Sequence, residues 1–381
     1  MNPELLITQL LSPMEDFAVA FDGLVAAGVA AIPALTAAIE RGRGIPQLTA
    51  VLSSIDLDDP VDTLAPLLDE PDEVHDAGIR ALGAHRDRRA LPLLVNVLPV
   101  DRFVAADALG ELGSTDAVAP LLALVRKYVG DDGSQLPGSD WLRSAARCLD
   151  LRLVLTVATA LAKLGQSMLA DVSIHLATLR DPREHPEASL VRAAAVRSLH
   201  YTVAPGVAQA LRSAAMDPDE DTARAALLGT LYLGRPDEAE TWLAIMSSGG
   251  AIAAHAAWCL ECWSGETVPR KDDGTSAWPK VKRWWAVTSR RFSARVCYRS
   301  GAPVEIARLV DELAHDPLTL RAELSVRTGA RPLQPLLAGN PVSVGEHAAM
   351  RSWWNVNAPK FPLGKLHRWG RTFEPSAVDS R

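Results

Sequence analysis

The feature that most limits what this chain can fold into is an internal repeat. Asp76-Ala-Gly-Ile-Arg-Ala-Leu-Gly83 is followed by Ala90-Leu-Pro-Leu-Leu-Val-Asn-Val-Leu98. One period later, Ala105-Ala-Asp-Ala-Leu-Gly-Glu-Leu-Gly113 is followed by Ala117-Val-Ala-Pro-Leu-Leu-Ala-Leu-Val125. Ala-Leu-Gly triplets start at Ala81 and Ala108, and prolines fall at Pro92 and Pro120, so the period is 27 to 28 residues. That length holds one short helix pair. Weaker copies of the first helix occur at 159–165, 191–199 and 222–229, and of the second at 32–39, 65–68 and 204–211. Apolar residues at three- and four-residue spacing give each helix one buried stripe. Ala and Gly let helices approach closely, a final Gly is expected to stop the first helix, and Pro suits the first turn of the second. One pair cannot cover its own apolar face, so neighbouring pairs must stack.

Composition agrees with this reading. The chain is 48% hydrophobic but only 5% aromatic, a mix that suits many closely packed helices. The expected fold class is all-α, an α-solenoid of helical hairpins. The most apolar stretch, Gly23 to Ile39, is broken by Gly28 and Pro33 and is short for a span, so a buried helix pair and no membrane insertion are expected. Met1-Asn2-Pro3-Glu4 lacks the basic start of a secretory signal, and four cysteines in 381 residues fit a reducing compartment, so the expected location is cytoplasmic. Charge is uneven along the chain. Residues 1–75 hold thirteen acids and two bases, a net of −11, whereas residues 268–381 hold nine more bases than acids.

The C-terminal third differs in kind, with nine of the ten tryptophans after residue 241. Lys282-Arg-Trp-Trp-Ala-Val287, Arg291-Phe292 and Arg299-Ser-Gly301 return 69 residues later as Arg351-Ser-Trp-Trp-Asn-Val356, Lys360-Phe361 and Arg368-Trp-Gly370. Each copy reads as a Trp-Trp helix followed by an extended arm that ends on glycine, with a further helix pair over 304–314 and 318–327. Trp284, Trp285, Arg295, Arg299, Trp353, Trp354, Lys365 and Arg368 form the candidate binding set, because Trp and Arg dominate recognition hot spots. The competing reading is that the Trp pairs are core. The expected divisions are an acidic helical region 1–71, a repeat array 72–263 with a loop insertion at 129–140, a linker 264–279 and a Trp/Arg-rich extension 280–381.

Signs of chemistry are few. Phosphate-binding, nucleophile-elbow and zinc-protease motifs are all missing. His255, Cys259 and Cys262 share one helical face with metal-like spacing, but small cysteines in Ala-like packing positions are the better explanation. Asp56, Asp58, Asp59 and Asp62 lack the Gly and Glu of a calcium loop and read as a solvated helix start, as does Asp217-Pro-Asp-Glu-Asp221. No cofactor and no resident metal are expected.

The repeat residues over roughly 20–265, clearest at 72–126, resemble the HEAT-like repeats of the phycobilisome-lyase type. The resemblance implies a right-handed superhelix of paired helices. The tail resembles the C-terminal part of bacterial HEAT-repeat proteins, some associated with type VI secretion. The expectation that follows is a non-enzymatic scaffold or adaptor binding another protein, one with a basic segment suiting the acidic N-terminal region. The alternatives are nucleic-acid binding through the basic tail, disfavoured by a body near −16 over residues 1–267, and a bilin-lyase-like enzyme.

Overall fold

A computed structural model describes residues 2–12, 17–129, 151–179, 188–272, 274–315, 317–330 and 342–379. The expected insertion at 129–140 lies, beyond residue 129, outside the described residues, as do Cys148 and His185. In chain order the helices are α1 (Pro3–Leu10), α2 (Phe17–Ala27), α3 (Ile32–Glu40), α4 (Ile45–Ser54), α5 (Pro60–Leu64), α6 (Asp72–His85), α7 (Leu91–Val97), α8 (Arg102–Leu112), α9 (Val118–Val129) and α10 (Leu151–Lys163). They continue as α11 (Ala170–Ala177), α12 (Ala188–Leu199), α13 (Val207–Ala214), α14 (Glu220–Leu233), α15 (Glu238–Ser248), α16 (Ala251–Ser264) and α17 (Trp278–Thr288). A hairpin of β1 (Tyr298–Arg299) and β2 (Ala302–Pro303) precedes α18 (Ile306–Glu312), α19 (Pro317–Thr328) and α20 (Val344–Asn357), and a second hairpin pairs β3 (Leu366–Arg368) with β4 (Arg371–Phe373). The fold is all-α, of the HEAT-like α-solenoid class, with these two small hairpins added.

The described residues of Met1–Gly133, Thr159–Gln166 and Ala307–Ala358 form one compact unit, and those of Ser134–Ala158, Ser167–Ile306 and Pro359–Arg381 a second. This division does not follow the expected linear one, since the Trp/Arg-rich extension contributes to both units. Phe17–Glu40 is long and apolar enough to cross a membrane by composition alone, with mean hydropathy 1.9 over its best window. It folds as α2, a 3-10 turn with Gly28 at φ 61°, and α3, which bury Phe17, Phe21, Leu24, Leu35 and Ile39.

Glycine does two different jobs in the repeat. Gly83 does not stop its helix: α6 runs on to His85 and ends at Arg86, with φ 57°. A Cβ on Gly83 would instead lie 2.6 Å from the Ala108 carbonyl oxygen and 2.7 Å from the Ala108 Cα. Ala108 opens the next triplet, so the glycine of one repeat receives the alanine of the following one. Gly110 does the same towards Ala160 of α10, where a Cβ would sit 2.7 Å from the Ala160 Cα. Gly113, Gly234 and Gly265 do end their helices, in left-handed conformation at φ 75°, 68° and 71°.

Polar contacts join successive repeats at nearly the same sequence interval. In the first unit, His75 Nε2 meets Asp101 at 3.0 Å, 26 residues on, and Arg321 donates to Glu346 at 2.9 Å, 25 residues on. In the second unit, Arg192 forks onto Asp217 at 2.8 and 3.0 Å, 25 residues on, and Arg212 onto Glu238 at 3.0 and 2.9 Å, 26 residues on. His200 Nε2 donates to the Ala225 carbonyl at 2.9 Å, again 25 residues on. One helix pair advances the chain by that amount, so equivalent positions of successive helix pairs meet.

Two outcomes follow from this packing. Gly83→Leu forces a side chain into the backbone of α8 and lowers stability by about 1–3 kcal/mol, read as a fall in the urea unfolding midpoint. Burial, reinforced by the Arg368 and Arg197 charges, pushes the His200 imidazole from 6.5 down to about 4. Between those values the unfolded chain holds a proton that the native chain does not. The His200 contribution is therefore complete above pH 6.5 and is lost as pH falls towards 4, by about 3 kcal/mol in all. In His200→Gln, unfolding free energy measured across this window flattens by that amount.

Candidate functional site

In the first unit α2 and α20 meet through a single acidic side chain. Gly345 leaves the space: a Cβ there would lie 2.4 Å from Asp22 Oδ1. The Asp22 carboxylate enters that space and accepts from Ser343 Oγ at 2.5 Å and from the Gly345 N–H at 3.0 Å. Asp22 thus adds a tertiary cap to a helix that already has a local one. Ser343 Oγ accepts from the Glu346 N–H at 3.0 Å, and Glu346 Oε2 accepts from the Ser343 N–H at 3.1 Å, a complete capping box.

Just beyond this junction the two helices part and leave a cleft of about 630 Å³. Phe21, Asp22, Val25 and Ala26 line it from α2, spaced as one helical face. Gly345, Glu346, Ala349 and Trp353 line it from α20, and Ser54 and Asp56 close the end beside α4. Its walls are therefore apolar and aromatic, while its charged groups among the described residues are all carboxylates. Glu346 is 5% exposed. Its Oε2 also pairs with Arg321 Nη2 at 2.9 Å, while its Oε1 has no hydrogen-bond partner among the described residues. Burial holds the Glu346 carboxyl above the usual carboxylate range, and Arg321 opposes this only in part. Concave, mostly apolar sites with a few convergent polar groups are the ordinary form of a ligand pocket, and this volume lies within their range.

Of the residues expected to bind, Trp353 alone lines this cleft. Trp354 is half-buried on the same helix. The others lie in the second unit. Trp284 and Trp285 are half-buried, Trp284 donating its Nε1–H to Glu266 at 2.8 Å and Trp285 lying tilted against the buried Trp263 with ring centroids 6.0 Å apart. Phe292 of the same motif lies 4.2 Å from Trp263, so this Trp-Trp copy is built into an aromatic cluster. Arg295 is exposed, and Lys365 pairs with Glu374 at 2.7 Å.

Arg299 and Arg368 require a correction, because both are buried and cannot face a partner. In each copy the Arg-x-Gly segment forms a two-residue hairpin turn with φ positive at both central residues, Ser300 and Gly301 or Trp369 and Gly370. The turn aims Arg299 Nη1 at the Cys262 carbonyl (2.7 Å) and Arg368 Nη1 at the Tyr232 carbonyl (3.0 Å). These carbonyls belong to the last turns of α16 and α14, which lack intrahelical partners and carry partial negative charge. The recurring arginine is a helix-end cap.

The three residues of metal-like spacing all lie on α16, with His255 and Cys262 half-buried. Cys259 is buried in α16 with Sγ 3.8 Å from the Leu227 carbonyl. Among the described residues no three His, Cys, Asp or Glu side chains converge as a metal-binding group. Asp59 and Asp219 each cap a helix start, accepting from the Asp62 and Thr222 N–H groups at 3.1 and 2.9 Å. Asp22, Phe21, Ala349 and Glu346 were not singled out from the sequence. Ser343-Val-Gly-Glu346 carries the capping-box spacing, which was the one available signal.

Residues 101–127 match the family model of the PBS lyase HEAT-like repeat. No curated protein is similar enough in sequence to count as a relative. A solved structure of the complex of CpcE and CpcF of phycocyanin lyase from Nostoc sp. is similar at 22% identity, covering 76% of this chain and 94% of that chain with a TM-score of 0.31. At that score the likeness carries no argument about reaction or ligand. The family match overturns the expectation that the chain is not an enzyme: a repeat of a kind found in lyases, without a recognisable catalytic motif, gives no ground for excluding activity. The chain carries, at 101–127, a HEAT-like repeat similar to that of PBS lyases, within an all-α fold.

Proposed function

We propose that this chain is a lyase-type repeat protein that holds a sizeable apolar ligand in the cleft between α2 and α20 and presents it to a protein partner. The observation that carries this reading is the cleft itself, about 630 Å³ with the aromatic side chains of Phe21 and Trp353 and the carboxylates of Asp22, Asp56 and Glu346 on its lining. The PBS lyase HEAT-like repeat at 101–127 suggests the reaction class, and on that reading the ligand is an open-chain tetrapyrrole. The partner is a protein with a basic segment. A second concavity of the same unit, about 490 Å³, is lined by Glu70, Asp72, Glu73, Asp76 and Asp101, and such a surface steers a basic partner chiefly through the rate of association.

Titration of the purified chain with biliverdin tests this reading through visible absorption. The expected result is saturable binding with a shifted long-wavelength band, weakened at least about tenfold in Ala349→Trp, which fills the cleft. A spectrum unchanged by protein, or binding indifferent to Ala349→Trp, would remove the ligand from this site.

A further inference from the structure

The cleft carries information about the charge of what it holds. Its three carboxylates are not equivalent. Asp22 is spent on the start of α20, with both oxygens engaged by Ser343 and Gly345. Glu346 is shared between Arg321 and Ser343 through Oε2, which leaves Oε1 buried and without a hydrogen-bond partner among the described residues. Asp56 is exposed at the rim and has no hydrogen-bond or ion-pair partner among the described residues. Among the described residues no Lys, Arg or His lines the cleft. Helix-start donors offset the charge of Asp22 and a guanidinium offsets that of Glu346, so Asp56 leaves about one unmatched negative charge at the mouth.

An orphaned buried carboxylate oxygen is a costly group that a bound donor would satisfy, because burial removes the water that otherwise serves it. Phe21 and Trp353 present the two aromatic side chains of the lining, and aromatic faces attract a desolvated cation as well as an apolar ring. An anionic ligand would meet carboxylates with no basic group to answer it.

We infer that the cleft between α2 and α20 is a site for an apolar, ring-bearing molecule with a single nitrogen cation, whose N–H groups reach Glu346 Oε1 and Asp56 while its body lies beside Phe21 and Trp353. This rests on the reading of the cleft as the ligand site and adds the chemical class of the ligand. A tetrapyrrole meets the requirement only when protonated on a ring nitrogen that is turned to the carboxylates, with its acid side chains outside the cleft.

The test uses the full chain and three fluorescent probes of one shape, 1-pyrenemethylammonium, 1-pyrenemethanol and 1-pyreneacetate, titrated at neutral pH. The ammonium is expected to bind about tenfold or more tighter than the alcohol, and the acetate more weakly than either. Asp56→Asn changes an exposed side chain and leaves the fold intact, and it should lower the ammonium preference severalfold. Glu346→Gln keeps the Arg321 contact and, combined with Asp56→Asn, should abolish the preference, with thermal unfolding confirming that the double variant is folded. Ala349→Phe should weaken all three probes and so locate them in the cleft. If the alcohol binds as tightly as the ammonium, or the preference survives in the double variant, the charge inference is overturned while the cleft stands as a site. If no probe binds, or Ala349→Phe changes nothing, the cleft reading itself falls.

Discussion

Close approach of helix backbones is the constraint from which the rest of the fold follows. Gly83 lies against Ala108, and Gly110 against Ala160, at distances that leave no room for a side-chain carbon. Such crossings set the spacing of the first helices and bring the same face of each into register with the next. The polar ladder depends on that register. Arg192 reaches Asp217, Arg212 reaches Glu238 and Arg321 reaches Glu346 only because each pair sits one repeat apart. These buried pairs add direction more than net stability, since desolvation offsets much of their attraction. The small residues bring the helices together, and the charged ones fix which residues meet.

The duplicated tail solves a different problem. Helices that stop on a left-handed glycine leave carbonyls exposed at their ends. The hairpins after the Trp-Trp helix supply the missing donors through Arg299 and Arg368, and the Ser300 and Gly301 N–H groups bond the Cys262 and Trp263 carbonyls at 2.8 and 2.9 Å. Trp263 adds its own Nε1–H to the Gly234 carbonyl at 2.8 Å. Arginine, read as a recognition residue, here closes helix ends, while Trp285 joins an aromatic cluster, in line with the core reading of the Trp pairs.

Periodicity made the fold legible, because side-chain size recurs at a fixed interval wherever helices must cross closely. Sequence also revealed the duplication around Trp284 and Trp353, but not its purpose. The partner of Arg368 lies 136 residues away at Tyr232, and that of Arg299 37 residues away at Cys262, distances at which no local pattern speaks. Gly83 was misread for a related reason: a helix-ending glycine and a helix-crossing glycine look alike in one strand of text. The cleft was hardest to see. Asp22 and Ser343 are 321 residues apart and belong to no repeat, and Asp56 was legible only as one member of an acidic loop. Trp353 was named, yet for a surface patch and not for a cavity wall. The missing catalytic motifs give no ground for excluding activity, since the repeat at 101–127 is of a kind found in lyases.

The cleft between α2 and α20 gives the molecule its most specific chemistry: an apolar cavity whose charged lining is acidic and whose buried Glu346 retains an unpartnered oxygen. A crystal structure of the chain with bound 1-pyrenemethylammonium tests this most directly. The account predicts the pyrene ring between Phe21 and Trp353, with its nitrogen about 3 Å from Glu346 Oε1. A ring bound elsewhere, or a nitrogen turned away from Glu346 and Asp56 into solvent, would contradict it.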